Sequence, residues 1–186
     1  GPDGSGKETQ VVKLEKRFIA DGWKAKTMSF PRYETSTGAL VREYLNGRFG
    51  PADSFDPWIS SMFFACDRKA AASDIYKLLE ANGFLILNRY VPSNAAHQGG
   101  KINNPQERKK FIQKVLEFEY DFLELPKPDL TIILDVTPEI SLANLQKRAI
   151  DKGLKLDQHV TMAHIKNARE AYNLLDIGGR GVIDWA

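Results

Sequence analysis

The stretch GPDGSGKETQ (residues 1–10) follows the phosphate-loop pattern G-x-x-x-x-G-K-[S/T] until its last position, where Glu8 replaces the hydroxyl. Gly1, Gly4 and Gly6 let the backbone turn so that several N–H groups aim at one anion. Lys7 adds a mobile positive charge, and the positive end of the following helix points the same way. A plain glycine-rich turn is the bland alternative. The helical stripe downstream (Val11, Val12, Leu14, Phe18, Ile19) favours instead a nucleotide cradle made of Gly1, Pro2, Asp3, Gly4, Ser5, Gly6, Lys7, Glu8 and Thr9. Such loops follow a buried strand, so a strand is expected before Gly1 and the ends of the sequence read as trimmed. Glu8 has two readings: it binds Mg²⁺ in place of the hydroxyl, or it points to solvent while the ion keeps more of its waters. Thr9 is no substitute, being rotated about 100° around the helix.

Beyond the loop, short apolar runs alternate with helical patterns, the layout of an α/β fold with a parallel sheet. Strands are expected at KAKTMSF (24–30), FLILN (84–88), LTIILDV (130–136) and VIDW (182–185). With the implied first strand they make a five-stranded parallel sheet flanked by helices, a three-layer single domain over 1–186. Ser36-Thr37 opens a short helix carrying Leu40, Val41, Tyr44 and Leu45. Asp56-Pro57 is a strong helix start, and the pattern predicts one long helix from there to Asn82, ended by Gly83. Further helices start at Asn104-Pro105 and Thr137-Pro138, and a last one covers about 159–176, followed by a turn at Gly178, Gly179 and Gly181.

Composition narrows the class without naming a function. The sequence has 186 residues, 42% hydrophobic and 27% charged, as in an ordinary globular domain. A net charge of +2 does not imply a nucleic-acid or membrane surface, so neither partner is expected. One cysteine, Cys66, permits no internal disulfide and fits a reducing cytoplasm. No His/Cys group has zinc-ligand spacing. His159 and His164 read as surface or core fillers, and Trp23, Trp58 and Trp185 as packing residues.

The acceptor is indicated by motifs taken together. FPRY (30–33), FFACDR (63–68), NRYVPSNAAHQG (88–99) and LPKPDLTIILDV (125–136) follow GPDGSGK in order. This series resembles the thymidylate kinases, which transfer the γ-phosphate of ATP to dTMP, and the likeness covers nearly the whole chain. The resemblance implies a role for each matching residue. Asp3 binds the sugar 3′-hydroxyl near the acceptor phosphate, and Arg32 holds that phosphate, which its planar fork of donors suits. Phe64 stacks on thymine and Arg68, four residues on and so on the same helix face, donates to a base carbonyl. Asn94 reads the thymine edge, helped by Gln98. Arg89 follows a strand at its carboxyl end and bridges donor and acceptor phosphates. A mobile lid is implied at about 148–158, with Arg148, Lys152 and Lys155 as cations for the transferring group and Arg148 preferred. Lys7, Arg89, Asp3 and Arg148 are then the catalytic set, Mg²⁺ and ATP accompany dTMP, and a homodimer packed through helices is implied. The apolar and small-residue surface of the helix after Asp56 (Trp58, Ile59, Met62, Ala65, Ala70, Ala71, Ala72) fits that dimer.

The sequence departs from the family pattern at Glu8, at Asn88 in place of the aspartate of Asp-Arg-Tyr, and at His97 in place of a tyrosine that crowds the sugar 2′ position. The first two conserve charge around the metal region, which suggests that Glu8 takes over metal organisation. Two rivals remain at this level: a kinase of another nucleotide, and a nucleotide-binding protein without catalysis.

Overall fold

The structure, a computed structural model, describes residues 1–52, 54–81, 83–153, 161–175 and 180–184. Lys155, His159, Gly178, Gly179 and Trp185, and with them residues 154–158 of the expected lid, lie outside the described residues, as does the side chain of Lys152. The chain runs α1 (Lys7–Ala20), β1 (Ala25–Ser29), α2 (Ser36–Leu45), α3 (Pro57–Ala70), α4 (Ala72–Ala81), β2 (Phe84–Asn88), α5 (Val91–Gly99) and α6 (Pro105–Glu117). It continues through a π-helical turn (Phe118–Phe122) to β3 (Thr131–Asp135), α7 (Pro138–Lys152), α8 (Met162–Asn173) and β4 (Arg180–Asp184).

All four expected strands form, but in two parallel pairs. β1 pairs with β2, Ala25 opposite Phe84 through Ser29 opposite Asn88, and β3 pairs with β4, Thr131 opposite Arg180 through Asp135 opposite Asp184. The five-stranded sheet is therefore not seen among the described residues; the strand expected to complete it would precede Gly1. Gly1 lies against β3, where an added β carbon would run into the Leu134 carbonyl.

Two corrections concern helices. The single helix expected from Asp56 is divided at Ala71, a fully buried residue whose N–H turns back to the Arg68 carbonyl. The alanine run 70–72 carries no periodic signal to mark this change of direction, which turns Ile75 on α4 into a cluster with Phe30, Tyr90, Val91 and Leu125. α5 was not anticipated at all. Seven of its nine residues are buried, and its helically spaced polar residues Ser93, Asn94, His97 and Gln98 turn to partners inside the protein rather than to water, so it does not read as an amphipathic surface helix. It packs on α3, α6 and α8 and contributes Ala95 and Ala96 to the second core cluster, with Phe111, Ile112, Val115, Ile133, Ala171, Tyr172 and Leu175.

Helix starts follow local chemistry. Asp56 accepts from the Trp58 and Ile59 N–H groups with Pro57 in the first turn, and Asn104 does the same for Gln106 and Glu107 ahead of Pro105. Each cap of this kind contributes about 1 kcal/mol. α1 buries none of its residues fully. Val12 and Ile19 of its expected stripe are exposed, and Phe18 holds the helix to the sheet by stacking on Phe84 at 4.2 Å.

Candidate active site

The glycine loop is shaped by its neighbours as well as by its own sequence. Gly4 has φ of +79°, and a side chain there would strike the Ser141 carbonyl of α7. Asn144, one turn further along α7, donates to the Gly4 carbonyl at 2.8 Å. Gly6, also left-handed, caps α1. The Lys7 ammonium curls back onto its own loop, donating to the carbonyls of Gly1 (2.8 Å) and Pro2 (2.5 Å) and to Ser5 Oγ (3.2 Å). Its donors are thereby directed at the loop itself. Burial, and then Arg89, lower its pKa well below the usual lysine value.

Arg89 leaves β2 with φ of 60°, a left-handed conformation that costs a non-glycine residue about 1–3 kcal/mol and that clusters at functional sites. That turn brings its guanidinium to Asp3, with which it forms a hydrogen-bonded ion pair, while Nη1 lies 3.4 Å from Nε2 of His97. Burial alone would raise the Asp3 carboxyl, but Arg89, His97 and Lys7 together hold it far below the carboxylate range. His97 is lowered mainly by burial. Behind it Tyr172 meets the ring edge to face and donates its hydroxyl to Ser93 Oγ at 3.1 Å; burial pushes its phenol up to about 12. Asp3, Lys7, Arg89 and His97, four residues expected at the phosphates and sugar, thus meet in one charged cluster.

A second group lies on α3 and its partners. Asp67, fully buried, accepts from the Arg32 backbone N–H (2.8 Å), from Arg32 Nε (3.2 Å) and from Thr37 (2.9 Å), and its carbonyl takes Arg32 Nη2 (3.0 Å). Arg32 is thereby fixed, with Asp74 at 3.7 Å on its outer side. Gly38 lets α2 pass directly over the Arg32 carbonyl. Arg68 is buried in a two-pronged ion pair with Glu119, at 2.5 and 2.6 Å. Glu119 also accepts from Asn94 Nδ2 (2.8 Å), which donates in addition to the Ser61 carbonyl (3.0 Å). Asn94 Oδ1 is left buried with no partner among the described residues. Gln98, expected beside it, accepts from Ser60 at 2.7 Å. Phe64 and Phe63 are both half-buried: Phe63 joins a cluster with Tyr44, Phe49 and Phe55, whereas Phe64 meets only Tyr44 of these, 6.1 Å away. α5 joins the two groups, since it carries Asn94, His97 and Gln98 within one turn or so.

Sequence reasoning missed Asp67, Glu119 and His164. The charged pair Asp67-Arg68 directly after the run Met62–Cys66 was the available signal for the first. Glu8 is exposed, as in the solvent-facing one of its two sequence readings, and it adds a contact that neither reading included, an ion pair with Arg148 of α7 at 2.9 Å with both side chains more than half exposed. The nearest approach to a metal-binding cluster among the described residues is Asp3, His97 and His164, whose ligand atoms lie within 4.8 Å of one another.

Phosphate loop, arginine at a strand end and buried arginine–amide group occur here in the order that the motifs imply, and a thymidylate kinase family model matches residues 1–177. The chain belongs to the thymidylate kinase family. It is 36% identical over 152 residues to the thymidylate kinase of Mycobacterium tuberculosis, a match covering 80% of this chain and 69% of that protein. The thymidylate kinase of Caldicellulosiruptor saccharolyticus is 31% identical over 174 residues, covering 93% and 77%. Among solved structures, the thymidylate kinase of Candida albicans superposes with a TM-score of 0.72 at 25% identity, covering 98% of this chain and 79% of that one. As a member of this thymidylate kinase family the chain is an enzyme, an ATP-dependent kinase that phosphorylates dTMP.

Proposed function

We propose that the charged cluster at Asp3, Lys7, Arg89 and His97 is where the γ-phosphate of ATP is transferred to dTMP, giving dTDP for dTTP biosynthesis, and that the buried group at Arg68 and Asn94 selects thymine. The observation that carries this reading is the unpartnered buried Asn94 Oδ1 beside an arginine fixed by Glu119. A buried acceptor without a partner costs about 1–3 kcal/mol, so the site is incomplete without a donor. Thymine supplies one at N3–H, next to a carbonyl that a guanidinium N–H can reach. Phe64 then stacks on the base, Gln98 stays on Ser60 and supports Asn94 from the same helix face, and Arg32 grips the acceptor phosphate.

The reaction asks the protein mainly for in-line positioning and for charge neutralisation. Lys7 exchanges its loop carbonyls for the phosphates of ATP. Arg89 lies between the two phosphates, and Asp3 receives the 3′-hydroxyl of the sugar. Arg148, on the last turns of α7 beside the lid at about 148–158, adds a cation when the lid closes and water is excluded. For Mg²⁺ the donor set is suitable: Asn88 Oδ1 at the end of β2 is buried without a partner among the described residues, and the Glu8 carboxylate is exposed. Hard oxygen donors with room for water are what Mg²⁺ selects. Asn88 and Glu8 would hold it, Glu8 on release from Arg148, and the ion would neutralise β- and γ-phosphate oxygens.

Several broader features belong to the same proposal. A strand leading into Gly1 would join the two strand pairs into a five-stranded parallel sheet, a placement supported by Gly1 lying against Leu134. The chain would then be one domain working in the cytoplasm, without nucleic-acid or membrane partners; no helix among the described residues is long and apolar enough to cross a membrane. A homodimer is supported by Trp58, Ile59 and Met62, all exposed, next to an apolar hollow lined by Ala65, Cys66, Phe118 and Leu123. Light scattering at micromolar concentration is expected to give twice the chain mass; a monomer would exclude the dimer. The activity itself is tested by ADP release from ATP·Mg²⁺ with a panel of monophosphates. dTMP is expected to be used best, and equal or better use of another monophosphate would overturn the thymine assignment.

A further inference from the structure

His164 has no place in the scheme above, yet it touches it. His97 Nδ1 lies 3.4 Å from His164 Nε2, with ring centroids 5.5 Å apart, and on its other side His97 Nε2 lies 3.4 Å from Arg89 Nη1. Proton positions follow from valence. Arginine has only donors, so the nitrogen facing it must accept, and a neutral imidazole with an accepting Nε2 carries its proton on Nδ1. That proton points to His164 Nε2, which must in turn accept. Burial and the nearby cations favour the neutral form of His97 that this arrangement needs.

We propose that His164 is a positioning residue that acts through His97 to fix the rotation of the Arg89 guanidinium for phosphoryl transfer. The proposal rests on the role given to Arg89 above. Asp3 anchors one terminal nitrogen of Arg89 and His97 the other, so the plane of the fork is defined by two points. Remove the acceptor behind His97 and its ring can flip or exchange its proton, presenting Nε2–H to a cation. Contacts of 3.4 Å are long for hydrogen bonds, and catalytic hydrogen bonds of free enzymes commonly tighten on substrate binding. The backbone of His164 is itself held, its N–H donating to the Thr161 cap of α8 at 3.1 Å. Among the described residues, Asp3 and Lys7 from the loop and Tyr172 from α8 also face His97.

The same three side chains, Asp3, His97 and His164, make a plausible donor set for a transition metal on composition alone. Asp3 is already paired with Arg89, however, and Arg89 and Lys7 would both repel an added dication. The relay is the reading that leaves every one of these groups with a compatible partner.

The test compares His164→Gln, whose amide oxygen still accepts, with His164→Lys, which only donates, and His164→Ala, which does neither. With the full chain, ATP·Mg²⁺ and dTMP, His164→Gln is expected to keep kcat within about threefold, while the other two lose about five- to tenfold, the worth of one hydrogen bond. A difference confined to kcat, with KM for ATP unchanged, is expected of a group acting on Arg89. Equal rates for the glutamine and lysine variants would overturn the relay, and this comparison stands even if the alanine variant folds poorly. Nitrogen-15 NMR of the imidazoles reads the same claim without turnover: His97 should carry its proton on Nδ1, and a proton on Nε2 would overturn it. Full activity in Arg89→Ala would instead bring down the site reading, whatever the His164 variants do.

Discussion

Replacing Arg89 by alanine is expected to lower kcat for dTMP by about 10³-fold or more, because a positioned arginine contributes on the order of 10³–10⁵ to phosphoryl transfer. The structure gives the residue three marks of a functional group rather than a structural one. It sits at φ of 60°, where a non-glycine backbone is strained. It is bound by the phosphate-loop acid Asp3, and it stands beside Lys7, whose ammonium it destabilises. A purely structural arginine would gain nothing from being held next to another cation; a binding site for a polyanion requires such an arrangement. The fold should survive, since the side chain is 29% exposed and its loss leaves Asp3, itself 25% exposed, open to water. Arg89→Lys is expected to fall between wild type and alanine, because an ammonium keeps the charge and loses the two-point fork. An alanine variant that keeps more than about a tenth of the rate would overturn the assignment, and circular dichroism separates lost chemistry from lost structure.

What the sequence discloses about this molecule is mostly local. FLILN was legible as a strand because four apolar residues follow a glycine, and Asp56-Pro57 and Asn104-Pro105 were legible as helix starts because capping is a contact over two or three residues. α5 was not, because its polar residues Asn94, His97 and Gln98 serve the interior of the protein, and a helix without a water-facing side lacks the usual amphipathic signature. The site divides along the same line. Loop glycines and Lys7 announce themselves within seven residues, whereas the groups that position the arginines do so across the fold. Asp67 reaches Arg32 over 35 positions, Glu119 reaches Arg68 over 51, and His164 reaches His97 over 67. No periodicity or spacing rule connects such pairs, and only the resemblance to a family brought the arginines themselves into view.

Glu8 illustrates a different limit. From sequence its carboxylate had two destinations, a metal ion or solvent. The ion pair with Arg148 links the first turn of α1 to the last turns of α7, beside the expected lid. Both side chains are well exposed, so the pair adds little to stability. Under the proposed metal role the pair would act as a competitor of Mg²⁺: a carboxylate that had to leave Arg148 to meet the ion would free the same arginine to approach the transferring phosphate.

Glu119→Gln is expected to destabilise the fold by about 3–5 kcal/mol, the usual cost of leaving one partner of a buried ion pair without its counter-charge. Against a typical total of about 5–15 kcal/mol this is a large fraction, and it should appear as a lowered urea midpoint. Glu119 is 0% exposed and Arg68 2%, so no water can replace the carboxylate. Glutamine keeps the shape and one acceptor, but it cannot neutralise a guanidinium held by two prongs, and it disturbs Asn94, which donates to the same carboxylate. The double change Arg68→Met with Glu119→Leu removes both charges and is expected to recover most of the lost stability, as apolar replacements of buried pairs do. It should not recover thymine selection. The KM for dTMP is expected to remain raised by about tenfold or more, a loss of one charged hydrogen bond to the base. Stability regained without selectivity would show that the pair is kept for recognition; selectivity regained along with stability would remove Arg68 from the thymine site.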